Sequence, residues 1–317
     1  MQTYIMRRVV LSLPTLFGVS VVVFVLLRLM PGDIVSLMAG DFGAANAETR
    51  AAILAEFRLD QNIAQQYVGW VGDVVRGDLG SSLISGRSVG SEVARRLPIS
   101  LQLGAMALFF SVVIGLPVGL LSAVRQNSAG DYVGRSVAIG FLAAPNFWIA
   151  LLLISLAGRY FHFMVPPTAY VGFGEDPVAS FKFLLMPALL TGASNSGSLM
   201  RYARTSLLEE MRRNYIRTAR SKGLPERTVI LRHGLRNALI PIVTVIGLGI
   251  PGIITGSIIM EQVYSVPGMG RYYLQSLAAL DFPVMQGIFL LYGAAVVFVN
   301  ITVDVMYSWI NPRIRYS

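Results

Sequence analysis

Residues 201–241 read RYARTSLLEEMRRNYIRTARSKGLPERTVILRHGLRNALIP. This stretch holds ten of the chain's 26 Lys and Arg residues against three acids, Glu209, Glu210 and Glu226, and long apolar segments flank it on both sides. A basic block set between two apolar runs is the pattern of a loop between membrane spans, and its reading decides what the rest of the chain is.

Its local pattern is helix, turn, helix. The first arm, Ser206 to Lys222, places Leu207, Leu208, Met211, Tyr215, Ile216 and Ala219 at helical spacing among charges, which gives one apolar face. Gly223 supplies a residue that ends a helix in the left-handed conformation, and Pro225 suits the opening of the next. The second arm, Glu226 to Leu239, interleaves Val229, Leu231, Leu235 and Ala238 with Arg227, Arg232, His233 and Arg236. Three readings fit these residues: a cytoplasmic loop that is basic only because such loops are, a helix-turn-helix nucleic-acid reader, and a docking helix that passes force from a soluble partner to the membrane part. The nucleic-acid reading fails on context, because both ends of the block run directly into spans and no free domain surrounds it.

Composition supports the membrane context. The 317 residues are 54% hydrophobic and only 14% charged, with mean hydropathy +0.62, whereas a soluble domain is about one quarter charged. The chain contains no Cys and two His, which excludes disulfides and thiol chemistry and leaves no Cys/His metal site. The first apolar run is span-length and no small-residue cleavage site closes it, so it reads as a span and not a cleaved signal.

Six spans are expected, at Val9–Met30, Ile99–Val124, Val137–Ala157 (interrupted by Pro145 and Asn146), Phe183–Leu199, Leu239–Met260 and Met285–Ile310. The fourth has TGASNSGS in its second half, small and polar residues that need a bundle interior and not lipid. Residues 31–97 form one long hydrophilic region, in which AETRAAILAEFRL and IAQQYVGWVGDVVRG read as short amphipathic helices. GLPVG (Gly115–Gly119) and GIITG (Gly252–Gly256) match the GxxxG pattern of close helix packing.

Orientation follows from charge. On one side the N-terminal segment contributes +2, the Arg125–Arg135 turn +1, the basic block +7 and the tail +2; on the other the contributions are −2, 0 and −1. By the positive-inside rule both termini and the basic block are cytoplasmic and the long first loop is outside.

No catalytic or nucleotide site is expected in this chain. Its two lysines, Lys182 and Lys222, sit in no GxxxxGK[ST] frame, and His162 and His233 fall on opposite sides of the membrane, so no Ser-His-Asp triad assembles. Asn300, Asp304 and Ser308 lie one helical turn apart on a single stripe of the last span, either a polar pin between helices or a wall of a hydrated path.

RTARSKG at 217–223, with a Pro at the start of the following span, resembles the cytoplasmic signature loop of ABC importer permeases, whose pattern is Glu-Ala-Ala, three residues, then Gly. Arg217, Thr218 and Ala219 stand in the first three places and Gly223 keeps the spacing. The first two places depart from the general pattern and the interval from Gly223 to Pro241 is longer; both departures resemble the dipeptide, oligopeptide and nickel subgroup. RLMPGD after the first span, EQVYSVPGMGR at 261–271, DFPVMQG at 281–287 and N-x3-D-x2-Y ending in NPRIR are similar to that subgroup too, although Asn311 stands where the family usually has Asp.

The resemblance implies an all-α, polytopic membrane protein of the type I importer permease fold, with six transmembrane helices and a large extracytoplasmic first loop. Residues 1–95 would form the first transmembrane helix with its extracytoplasmic region, 96–310 the five-helix permease core, and 311–317 a cytoplasmic tail. The implied complex places it in the inner membrane, with a second homologous permease subunit, two ATP-binding subunits and an extracytoplasmic substrate-binding protein. ATP and Mg would be bound and hydrolysed in those partner ATPase subunits, with no cofactor in this chain and no nucleic acid. Arg217, Thr218, Ala219, Arg220, Lys222, Gly223 and Leu224 would form the ATPase-coupling loop. The substrate implied is a di- or oligopeptide, with a nickel chelate, glutathione, an opine or a sugar as alternatives and a secondary transporter as the rival class.

Overall fold

The computed structural model describes residues 2–29, 58, 60–160, 169–255 and 258–310. Among them the regular structure is helical apart from one isolated antiparallel bridge between Ser81 and Ser88. Five helices are long and apolar enough to cross a membrane, or six if one sharply bent pair counts as a single span. The chain divides into two compact units, residues 1–97 with 272–298, and residues 98–271 with 299–317.

In the first unit, helix α1 (Gln2–Leu29) is followed by α2 (Ile63–Val75), the second of the two amphipathic segments expected in the outer region. The other, AETRAAILAEFRL, lies almost wholly outside the described residues, as do RLMPGD from Met30 onward and the tail from Asn311. Asn62 caps α2 by accepting the Gln65 N–H at 2.9 Å. The helix then lays Tyr67 and Trp70 against Phe24 of α1, and the Ser20 and Tyr67 hydroxyls meet at 2.7 Å. The turn after α2 uses three glycines with positive φ, Gly77, Gly80 and Gly86. It is fastened by Asp281, a buried carboxylate that accepts from the Ser82 hydroxyl at 2.6 Å and the Leu83 N–H at 3.1 Å.

Helix α3 (Val89–Val124) begins ten residues before the expected span. Its extra turns stand because Glu92, in the first turn, pairs with Arg95 and Arg96 at i+3 and i+4 (2.7 and 2.9 Å) and with Arg87 at 3.3 Å.

In the second unit, the expected third span is replaced by two helices, α4 (Ala129–Ala143) and α5 (Asn146–Tyr160), that meet at 94°. Pro145 is the cause. It forces Ala144 into extended backbone (ψ 129°), and its own carbonyl then accepts from the N–H of Trp148 and Ile149 to start α5. Helix α6 (Pro177–Met211) is far longer than the expected fourth span; of TGASNSGS it buries Gly192, Ser196 and Gly197, whereas Thr191, Ala193, Ser194 and Ser198 are half-buried and Asn195 is exposed. Gly115 and Gly119 of α3 let its backbone reach that of α6: an added Cβ would lie 2.6 Å from the Ser196 carbonyl and 2.5 Å from that of Met200. GLPVG is therefore a packing motif. GIITG shows no such role at Gly252, which has open space around its Cα, and Gly256 lies outside the described residues.

A one-turn helix α8 (Glu226–Thr228), a π-helical stretch (Val229–Leu235) and α9 (Arg236–Thr255) follow one another without interruption. Beyond them α10 (Ile258–Val263) ends with Glu261 fully buried, where its carboxylate accepts from the Ser100 hydroxyl at 2.7 Å and the Arg271 N–H at 3.1 Å. The remaining helices are α11 (Met269–Ala278) and α12 (Phe282–Ile310).

Candidate functional site

The basic block does not form one first arm. Helix α6 stops at Met211, Arg213 takes an extended backbone (φ −67°, ψ 150°), and an eight-residue helix α7 (Asn214–Ser221) starts afresh. Helical periodicity alone predicted continuity through Lys222, and tertiary packing overrides it. The turn lets α7 bury Ile216 and Ala219 against Val229 and Met211, and it lets Tyr215 reach two other segments. The Tyr215 hydroxyl donates to Glu210 Oε2 at 2.6 Å and accepts from Asn237 Nδ2 at 2.9 Å, while Asn237 also donates to the His233 carbonyl at 3.2 Å. His233 lies in the π-helical stretch, whose wider turns leave backbone carbonyls open to outside donors. Burial and the Glu210 carboxylate together raise the Tyr215 hydroxyl above its ordinary range, so it remains a neutral donor.

At its other end α7 closes as expected. Gly223 has φ +76° and its N–H bonds the Arg220 carbonyl at 2.9 Å, while the Lys222 N–H bonds that of Thr218 at 3.1 Å. Pro225 differs slightly from expectation. It stands just before α8 in extended backbone, and its carbonyl accepts from Thr228 and Val229. Arg220 and Glu226 straddle the turn in a two-pronged ion pair, at 2.6 and 3.1 Å, exposed on both sides.

Of the seven residues read as a coupling loop, Ala219 is buried and Arg217, Thr218, Arg220, Lys222, Gly223 and Leu224 are exposed. The structure thus brings them together on one short, well-anchored element whose outer face is basic. Arg212, Arg217, Lys222 and Arg227 make no ion pair among the described residues and point their charge outward. Such a face attracts an acidic surface, and the anchorage of α7 through Tyr215, Ile216 and Ala219 makes it stiff. Of the other stripe, Asn300 is exposed, whereas the side chains of Asp304 and Ser308 lie outside the described residues.

Sequence reasoning missed the polar locks that fix this element. Ser122, Arg135 and the half-buried Arg204, seven residues before α6 ends, cluster around the buried Asp131, and Tyr215, Glu210 and Asn237 form the network above. The only signal available was an acid, Asp131, flanked by basic residues in a tight turn.

Residues 115–316 match the family described as binding-protein-dependent transport system inner membrane component, and residues 1–104 match its N-terminal membrane component. The chain is 36% identical, over the whole of both chains, to the dipeptide transport system permease protein DppB of Escherichia coli K12. It is 35% identical, again end to end, to the glutathione transport system permease protein GsiC of Escherichia coli O6:H1. In fold it is similar to a crystal structure of an amino acid ABC transporter with histidines, at TM-score 0.51 and 18% identity, covering 71% of this chain and 94% of that one. Full-length identity at this level, together with the two family matches, assigns the chain: it belongs to the inner membrane components of binding-protein-dependent transport systems.

Proposed function

We propose that this chain is one transmembrane half of an ATP-driven importer of di- and oligopeptides, joined by a second homologous permease, two ATP-binding subunits and an extracytoplasmic binding protein that delivers the peptide. The relatives named for dipeptide and glutathione transport support the substrate class, since both solutes are short chains of amides. ATP and Mg are handled in the partner ATPases, and no step of hydrolysis belongs to this chain. Residues 96–310 serve as the permease core, 1–95 as the first span with its outer region and 311–317 as the tail. The charge asymmetry supports cytoplasmic termini.

The observation that carries the coupling role is α7 itself. Eight residues end at a Gly with φ +76°, bury Ile216 and Ala219 inward and present Arg217, Thr218, Arg220 and Lys222 outward. Docked on an acidic cleft of an ATPase, it converts closure of the ATPases into displacement of α6 and α9, because Met211, Val229 and the Tyr215 network fix it to both. ATP shifts the inward- and outward-facing states only by its differential affinity for them. The stripe of Asn300, Asp304 and Ser308 is assigned to the polar wall or pin of the last span. Gentle solubilisation of the C-terminally tagged chain from its native membrane, followed by mass spectrometry, tests the assembly. Recovery of a second permease and P-loop ATPases is the expected result, and recovery of the chain alone would contradict it and favour a self-sufficient secondary transporter.

A further inference from the structure

The second unit has an open-sided cavity of about 430 Å³ between α3, the start of α5, α6 and α9. That size lies within the range of about 300–1,000 Å³ typical of small-molecule sites. The polar part of its wall is Ser111, Asn146, Thr191, Asn195 and Ser198, and among the described residues no ionisable side chain lines it. Thr191 satisfies its hydroxyl on the Pro187 carbonyl at 2.8 Å, but Ser111, Asn146, Asn195 and Ser198 make no side-chain hydrogen bond among the described residues. Between helices of membrane-spanning length, unpaired carboxamides and hydroxyls are costly unless water or a solute meets them. Two carboxamides and two hydroxyls offer both donors and acceptors, the complement of peptide N–H and C=O groups. They offer nothing that balances a carboxylate or an ammonium.

We propose that this cavity is a binding station, within this chain alone, for the backbone amides of a transported peptide, holding the neutral middle of the molecule and leaving both charged termini ungripped. The apolar remainder of the wall, such as Leu103 and Val245, accepts side chains without discriminating among them. Its polar edge is carried by α6, whose far end at Met211 abuts α7, so the helix that holds the solute is the helix that the docking element moves. The inference rests on the peptide-importer reading.

The 317 residues contain no Cys, so an introduced reporter is the single thiol on this subunit, and labelling is read on the separated subunit. Ser198→Cys, with Ser111→Cys as a second reporter should the first impair uptake, is placed in the complete complex in proteoliposomes. Labelling by a small hydrophilic thiol reagent is then timed with and without trialanine. Expected results are ready labelling, slowing by about ten-fold at saturating trialanine, and equal slowing by N-acetyl-trialanine amide, which has no charged terminus. In addition, Asn195→Leu lowers trialanine uptake by about ten-fold, and Asn195→Gln restores it. Reporters that never label, labelling that trialanine does not slow, or protection lost when the termini are blocked would each overturn the station. If the parent complex takes up no trialanine with ATP, the peptide reading falls and the station falls with it. Uptake together with unprotected reporters removes the station alone.

Discussion

Arg204 of α6 and Asp131 of α4 form a two-pronged ion pair, Nη2 to Oδ2 at 3.1 Å and Nε to Oδ1 at 3.2 Å. The Asp131 side chain is fully buried; it also accepts from the Ser122 hydroxyl and from the Asn127 N–H at 2.9 Å, and it lies 3.1 Å from Arg135 Nε as an ion pair. This lock ties the α3–α4 turn to α6 seven residues before α6 gives way to α7, so a displacement of α7 cannot bend α6 without also moving its neighbours.

Asp131→Asn strands two guanidinium groups around a neutral amide. Breaking a buried pair from one side costs about 3–5 kcal/mol. The purified complex is therefore expected to melt earlier, with ATP-dependent uptake falling more than ATP hydrolysis. Adding Arg204→Met to Asp131→Asn removes one stranded charge and recovers part of the thermal loss. A single mutant as stable as the parent would mean that the lock is not a structural element.

Gly223 has open space around it, so only its φ of +76° restricts substitution. Forcing an L-residue there costs about 1–2 kcal/mol, with Asn the mildest choice. Proline, fixed near φ −65°, cannot adopt it. Uptake is expected to fall in the order Gly, Asn, Ala, Pro, with Gly223→Pro abolishing transport while membrane insertion, measured by protease protection, is unchanged. Ala219→Leu forces a larger side chain against Ile216, Val229 and Met211, an overpacking worth about 1–3 kcal/mol. It is expected to uncouple in the same assays.

Charge on α7 separates docking from folding. The Arg220–Glu226 pair is 44% and 54% exposed and contributes about 0–1 kcal/mol, so Glu226→Ala leaves the melting temperature almost unchanged. Reversing the unpaired Arg217 and Lys222 to Glu removes attraction to an acidic partner. The loss of ATPase binding is expected to be deepest at low salt and to narrow as the Debye length shrinks.

The Tyr215 hydroxyl is raised from an ordinary value of 10.0 by burial and by Glu210. Its folded value exceeds its unfolded value, so its stabilisation is fully present below pH 10 and is lost as pH rises through the folded value. Melting of the parent and of Tyr215→Phe is expected to differ by a constant amount from pH 6 to 9 and to converge only above pH 10. Convergence already at pH 8 would contradict the assignment of Tyr215 as a neutral donor.

Helix identity, the membrane setting, the GLPVG packing contact and the Gly223 stop were legible in the sequence because each depends on local pattern or composition. The 94° bend at Pro145 was only half legible: the sequence marks the interruption, but the angle depends on what Ala150 packs against in the core with Leu184 and Met260. The break at Arg213 was not legible. Met211 to Ala219 has helical spacing throughout, and the chain turns only because Ile216 and Tyr215 find partners at Val229 and Asn237, many residues later. Buried polar locks such as Ser100 with Glu261, 161 positions apart, are invisible to any local reading for the same reason.

The most direct measurement is uptake of a radiolabelled peptide by proteoliposomes that contain the complete complex, with binding protein on the outer face, ATP inside and no ion gradient. The expected result is accumulation that requires ATP and is lost with Gly223→Pro in this chain. Uptake that proceeds without ATP when a proton gradient is imposed, or that is unaffected by Gly223→Pro, would contradict an ATP-driven importer coupled through α7.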